Sequence, residues 1–294
     1  MNIPELRLSP IVAGCWRMQA WGWSAAQRLD WIEACIDLGV TSFDHVDIYG
    51  GYSVEPLFGE ALARKPALRQ KMQLVSKCGI QLVSPLRPQH RLKAYDTSAM
   101  HIEASVDQSL RALNTDHLEL LLIHRPDPLL DADAVAAAFQ RLQRSGKVGA
   151  FGVSNFTPAQ FELLHSSTPL VTNQVECSPP LHLAPLHDGT FDQAQQLRLA
   201  PMIWSPLAGG RVFTGADAAA RRVRATLSLV AARLSVSMAT VVYAWLRRLP
   251  CRPYPIVGSS RIEVLREAVA ALDVQLDAPT WHEIWSAGAG HEVP

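Results

Sequence analysis

The chain has 294 residues and a mass of 32.3 kDa, with 48% hydrophobic and 18% charged residues, enough to bury a large core. Its 27 Lys and Arg balance 27 Asp and Glu with no basic run, which argues against nucleic-acid binding and against a polybasic membrane anchor. No apolar stretch approaches the ~18–20 residues that span a bilayer, and residues 1–10 carry Glu5 and Arg7 in place of the apolar core of a secretory signal, so a cytoplasmic protein is expected.

Short apolar runs alternate with longer amphipathic stretches. Residues 11–13 form the first predicted strand, followed by a helix over 24–38 that starts at the N-cap candidate Ser24 and stops at Gly39. Strands are predicted at 41–43 and 72–76, then a helix at 98–113 that ends at Asn114. The strand at 118–123 leads to a helix at 131–145, bounded by Asp131 and by Gly146, a glycine suited to positive φ. Strand 149–153 and helix 157–165 follow, then strand 171–174 and helix 189–197. Strand 201–204 precedes helices at 218–234 and 238–249, and strand 254–257 precedes a helix at 262–272. The runs are apolar on both faces, as parallel strands covered on both sides require. Their number and the chain length are the arithmetic of an α/β fold, a single (β/α)8 TIM barrel occupying residues 1–294. A doubly wound sheet would want GxGxxG after the first strand, and Ala13-Gly14-Cys15-Trp16 fails that pattern. The segments 78–97 and 181–190 are the expected excursions from the barrel.

Five scattered cysteines with no CxxC pair are expected as reduced thiols, and the ten histidines form no metal-binding spacing. The chemistry therefore falls to residues at the C-terminal strand ends, where barrel enzymes work. Run 41–43 ends in Asp44, run 72–76 in Lys77 and run 118–123 in His124, while Tyr49 lies in a loop with Gly50 and Gly51. Singly, each has an ordinary structural role: a cap or ion pair for Asp44, a solvated charge for Lys77, a strand terminus for His124, a surface turn for Tyr49. Together they form a kit for protonating an oxygen. A lysine ammonium lowers a phenol's pKa, a carboxylate holds the lysine, and an imidazole orients a carbonyl.

These residues lie in segments that resemble the aldo-keto reductase family from end to end. The matching segments include Phe43-Asp44-His45-Val46-Asp47-Ile48-Tyr49-Gly50, Val75-Ser76-Lys77 and Leu120-Leu121-Leu122-Ile123-His124-Arg125-Pro126-Asp127. They continue through Gly152-Val153-Ser154-Asn155-Phe156, Asn173-Gln174-Val175-Glu176, Trp204-Ser205-Pro206-Leu207 and Pro255-Ile256-Val257-Gly258-Ser259. The Arg125-Pro126-Asp127-Pro128 loop and the Trp204-Ser205-Pro206 segment look more like the bacterial oxidoreductase branch, related to potassium-channel β subunits, than the sugar reductases. The resemblance implies a barrel that uses NADPH to reduce a small carbonyl substrate, with Asp44, Tyr49, Lys77 and His124 as catalytic residues and Tyr49 as general acid. It implies cofactor contacts from Gly14, Cys15 and Trp16 at the nicotinamide end. Ser154, Asn155 and Gln174 fall at the carboxamide, and Trp204 stacks on the ring. Ser205, Pro206, Leu207, Gly210 and Arg211 follow the pyrophosphate loop, and Gly258, Ser259, Ser260 and Arg261 the adenosine phosphate.

Val264 and Ala268 stand where many members carry an arginine and an asparagine, so Arg261 and Arg266 are the cations expected to select NADPH. Histidine at 124, in place of the glutamate of steroid double-bond reductases, favours carbonyl reduction. A monomer is expected. Segments 17–23, 78–97 and 125–130 are expected to shape the substrate pocket, with Trp21, Trp23 and Leu86 supplying apolar surface. Two alternatives stay open: an NADPH-binding sensor or accessory subunit with little turnover, and a cofactor-free barrel isomerase or lyase.

Overall fold

The computed structural model describes residues 6–179 and 181–292. Eight parallel strands close into a barrel: β1 (Val12–Gly14), β2 (Ser42–Asp44), β3 (Gln73–Cys78), β4 (Leu118–Ile123), β5 (Val148–Ser154), β6 (Asn173–Glu176), β7 (Met202–Trp204) and β8 (Tyr254–Val257). Each pairs with its neighbours in sequence, and β1 closes the ring on β8 through Val12 opposite Ile256 and Ala13 opposite Val257. Every predicted strand is present, with boundaries moved by no more than two residues.

Side chains alternate across the barrel wall. Val12, Val75, Leu120, Leu122, Ala150, Val171, Met202 and Ile256 form one buried cluster in the interior. The opposite set, such as Leu121, Ile123, Phe151 and Ile203, packs outward in the larger cluster beneath the helices. Continuing the inward parity toward the C-terminal strand ends brings Asp44, Lys77, Ser154 and Gln174 to one level above this apolar plug. All four are 3% exposed or less.

The helix ends follow local chemistry. Ser24 accepts the Gln27 N–H at 3.3 Å, and the Gln27 side chain returns to the Ser24 N–H at 3.0 Å, a reciprocal cap on helix Ala25–Asp37. Thr157 and Gln160 repeat it on helix Pro158–Ser167. Asn114 takes φ 54° to end helix Ala99–Leu113. Among the described residues, two long helices and the single turn Arg211–Thr214 fall outside the sequence expectations. Val54–Ala63 supplies the crossover from β2 to β3, and Ala278–Ala289 packs on helix Ala218–Leu234. Of the helices that were expected, two, Ala218–Leu234 and Met238–Arg247, both follow β7.

The excursion after β3 carries two short antiparallel strands, Ile80–Gln81 and Ala94–Tyr95, that stand outside the barrel. Among the described residues no single helix is long and apolar enough to cross a membrane.

Candidate active site

A cavity of about 590 Å³ opens at the C-terminal ends of the strands. Its inner end is built around a buried ion pair. The Lys77 ammonium donates to both Asp44 carboxylate oxygens, at 2.7 and 2.8 Å, and to the His45 carbonyl at 3.0 Å. Gln174 Nε2 donates to the same Asp44 Oδ1 at 2.8 Å, tying β6 to β2 across the barrel. Asp44 and Gln174 reach the cavity wall, whereas Lys77, 1% exposed, sits behind Asp44. Burial pulls the Lys77 pKa below its ordinary value, against the opposing pull of Asp44.

Tyr49 lines the cavity from the loop after β2, where Gly50 and Gly51 take φ 59° and 64° and turn the chain at once into helix Val54–Ala63. The Lys77 ammonium lies 5.6 Å from its ring centroid. The sequence suggests that this ammonium lowers the phenol pKa, and the structure corrects that. Burial first, then the Asp44 carboxylate, push the Tyr49 pKa well above its ordinary value, and the cation that pulls it down is Arg125. The physical reason is that the Lys77 charge is spent on Asp44 and the His45 carbonyl. Tyr49 thus holds its proton at neutral pH.

His124 ends β4 half-buried on the cavity wall. Its Nδ1 has no hydrogen-bond partner among the described residues. Burial, and then the charges of Lys77, Arg125 and Lys93, hold its pKa well below the usual value, so the imidazole is neutral. Behind the site, Glu55 accepts the Ser76 hydroxyl at 2.6 Å, and burial pushes its pKa up to about 7.

The opposite wall is flat and amide-rich. The Trp204 indole N–H donates to Asn155 Oδ1 at 3.0 Å, Asn155 Nδ2 donates to Ser154 Oγ at 2.8 Å, and Ser154 Oγ donates to the Gln174 carbonyl at 3.0 Å. This chain fixes the indole plane against β5 and β6. Asn155 accepts φ 61° to complete it, a left-handed conformation that asparagine tolerates better than most residues. Farther out, the loop from Ser205 to Gly210 curls over the cavity through left-handed residues at Ser205, Ala208, Gly209 and Gly210. The Arg17 guanidinium reaches this loop, 3.9 Å from where a Cβ on Gly209 would sit.

Most of the expected residues meet in this one cavity: Gly14, Trp16, Asp44, Tyr49, His124, Ser154, Asn155, Gln174, Trp204, Ser205, Pro206, Leu207, Gly210, Gly258 and Ser259 all line it. Five expected residues do not. Lys77 is screened by Asp44, as above. The Cys15 side chain is fully buried in the outer core. Arg211 is held by Asp217, with Nε at 2.9 Å from the carboxylate. Ser260 lies beyond the rim, and Arg261 is exposed at the N-cap of helix Ile262–Ala270, where Val264 reaches the wall.

The expected apolar contributors also move. Trp21 packs on Trp23 and Trp31, with ring centroids 4.9 and 5.0 Å away, and Leu86 is exposed, so none of the three residues Trp21, Trp23 and Leu86 forms the pocket. Ile48, Ile80 and Leu82 add apolar surface in their place, and Arg17, Lys93 and Arg125 line the cavity as cations. Segments 17–23, 78–97 and 125–130 all reach the site, the first through Arg17, the second through Ile80, Leu82 and Lys93, and the third through Arg125.

A closed parallel barrel with an acid–lysine pair, a phenol and an imidazole at its C-terminal mouth defines a class. The chain belongs to the aldo/keto reductase family, whose model matches residues 10–288, and it is an oxidoreductase. It is 52% identical over 289 residues to the oxidoreductase YdhF of Escherichia coli, covering 97% of this chain and 95% of that one. It is 50% identical over 293 residues to the oxidoreductase YcsN of Bacillus subtilis, covering 99% and 97%. A 6-dehydroglucose reductase of Agrobacterium fabrum is 44% identical over 292 residues, covering 98% and 97%. The barrel fold is shared with a glycerol dehydrogenase of Gluconobacter oxydans, with a TM-score of 0.83 at 21% identity, covering 99% of this chain and 95% of that one.

Proposed function

We propose that this oxidoreductase reduces an aldehyde or ketone to the alcohol with NADPH, with Tyr49 as the proton donor. The observation that carries the reading is the convergence of Tyr49, neutral His124 and the Lys77–Asp44 pair at one end of a cavity whose facing wall is the tethered Trp204 indole.

The residues fit a nicotinamide dinucleotide. Trp204 offers a flat face, and Ser154, Asn155 and Gln174 offer an amide and hydroxyl edge beside it. Gly14 and Gly258 keep the cavity floor bare between them: a Cβ on Gly14 would stand 2.8 Å from Ile256 Cγ2. Helix Ile262–Ala270 begins without a side-chain cap, and its Ile262 and Glu263 N–H groups are open to a phosphate, the Val264 N–H being donated to the Arg261 carbonyl. Arg261 and Arg266, exposed on that helix, favour the extra phosphate of NADPH, partly offset by Glu263 in the first turn. Arg17 adds positive charge at the Ser205–Gly210 loop.

Bound there, the reduced nicotinamide supplies hydride to the carbonyl carbon. The protein's part is to place the carbonyl oxygen and meet its growing charge. Tyr49 arrives protonated because burial and Asp44 disfavour phenolate. His124, uncharged, can hydrogen-bond the oxygen without competing as a stronger acid. As negative charge develops on that oxygen, the Tyr49 Oη proton moves to it, and the nearby Arg125 cation favours the resulting phenolate. The Lys77–Asp44–Gln174 chain fixes the floor on which this happens.

The 6-dehydroglucose reductases among the relatives put hydroxylated aldehydes among the first compounds to try. Following NADPH oxidation with a panel of aldehydes and ketones, with binding followed separately by tryptophan fluorescence, tests the reading. Carbonyl-dependent oxidation supports it. Binding without turnover of any carbonyl refutes it in favour of a sensor.

A further inference from the structure

The cations at the substrate end of the cavity lack matching acids. Lys93, from the excursion after β3, and Arg125, from the loop after β4, both line the cavity, and both act on His124 by lowering its pKa. Arg125 also acts on the Tyr49 phenol. Neither Lys93 nor Arg125 makes a side-chain hydrogen bond or ion pair with any described residue. The carboxylates close to them in sequence are engaged elsewhere. Asp96 accepts the Ser98 N–H at 3.0 Å and Gln81 Nε2 at 2.9 Å. Asp127 accepts the Thr97 hydroxyl at 3.0 Å and the Leu129 N–H at 2.9 Å. Glu176 feels the Arg125 charge, yet burial pushes its pKa up and it forms no ion pair with Arg125.

Two unmatched cations from separate loops thus line the same cavity as Tyr49 and His124, together with the apolar residues Ile48, Ile80 and Leu82. Low-dielectric walls strengthen such a field. The cofactor's phosphates do not account for these charges, because the loop and helix proposed to hold them, with Arg17 and Arg261, are separate elements that follow β7 and β8.

We propose that the physiological carbonyl substrate is an anion, carrying a carboxylate or phosphate that Arg125 and Lys93 bind while its carbonyl oxygen meets Tyr49 and His124. The inference rests on the carbonyl-reduction reading. A guanidinium offers a two-pronged grip on such oxyanions, and Lys93 supplies a second charge from a separate loop.

The test compares matched pairs: 4-carboxybenzaldehyde against its methyl ester, and glyceraldehyde 3-phosphate against glyceraldehyde. The charged member should be preferred by about tenfold or more in kcat/KM, mainly through KM, in at least one pair. Which pair responds separates carboxylate from phosphate. Raising ionic strength from about 0.05 to about 0.5 M should shrink the preference. In Lys93→Met/Arg125→Met the ratio should fall to about one. Lys93→Met alone, at an exposed position, gives a reduced ratio should the double variant not fold. Equal kcat/KM within both pairs, or a ratio unchanged in the variants, would overturn the inference and leave carbonyl reduction standing. Wild-type protein that turns over none of the four compounds, nor any neutral carbonyl, would overturn both.

Discussion

Replacing Lys77 by methionine strands a buried carboxylate. Lys77 is 1% and Asp44 2% exposed, and the ammonium meets both carboxylate oxygens and the His45 carbonyl within 3.0 Å. In the variant Asp44 keeps one side-chain donor, Gln174 Nε2, and the His45 carbonyl loses its lysine. Removing one partner of a buried pair costs on the order of 3–5 kcal/mol, because the remaining charge has neither water nor counter-charge. Lys77→Met should therefore lower unfolding stability by about that much. The double variant Asp44→Asn/Lys77→Met removes both charges and should be more stable than the sum of the single losses predicts, by about 2 kcal/mol or more. Urea unfolding of the four proteins at pH 7 measures the cycle. Single losses below ~1 kcal/mol that simply add would refute the buried-pair argument. Lys77→Met should also reduce carbonyl turnover by ~10²-fold or more, since the floor beneath Tyr49 is then unfixed.

Trp204→Ala should weaken NADPH binding by at least ~1 kcal/mol in a calorimetric titration while Trp204→Tyr keeps most of it, because a flat ring remains; an alanine variant that is unfolded would assign the indole to the core instead. Arg261→Glu should weaken NADPH by on the order of 1–3 kcal/mol and NADH far less; equal losses would remove Arg261 from the 2′-phosphate. Glu55, 3% exposed, has a pKa raised by burial to about 7, so its neutral form is the one the fold prefers. Its stabilising contribution is full below the unfolded carboxyl value and is lost as pH rises through about 7, a change on the order of 3 kcal/mol. Stability measured at pH 5 and pH 8 should therefore fall with pH in the wild type and much less in Glu55→Gln; parallel behaviour of the two would contradict the assignment.

The barrel is readable in the sequence because each strand is buried on both faces and written as an apolar run, as in Leu118–Ile123. Helix Val54–Ala63 is not, because Ser53 makes no capping bond and the helix springs directly from the Tyr49–Gly51 turn. Helix Ala278–Ala289 does carry a legible signal, Asp277 accepting the Thr280 N–H with Pro279 in the first turn. Asp44, Tyr49, Lys77 and His124 stand out because strand ends order them along the chain. The sign of the Tyr49 perturbation depends on distances, and proximity of a lysine in sequence motifs says nothing of whether its charge is already spent. Trp21 and Trp23 look like pocket aromatics until the edge-on contacts of Trp21 with Trp31, and of Trp31 with Phe43, are seen behind them. Lys93 is inconspicuous as a letter, because only the folded path of the excursion after β3 brings it to the cavity beside Arg125, which adjoins His124 in the chain.

Tyr49→Phe tests the proposed proton-donor role of Tyr49 with the ring retained. General acid catalysis is worth ~10²–10⁴-fold. Steady-state kcat for the best carbonyl substrate and the NADPH Kd of the variant should be measured together. The expected result is a kcat lowered by at least ~10²-fold with an NADPH Kd close to wild type, since the proposed cofactor contacts lie on other strands. Turnover near the wild-type rate would contradict it and move the proton donor to His124.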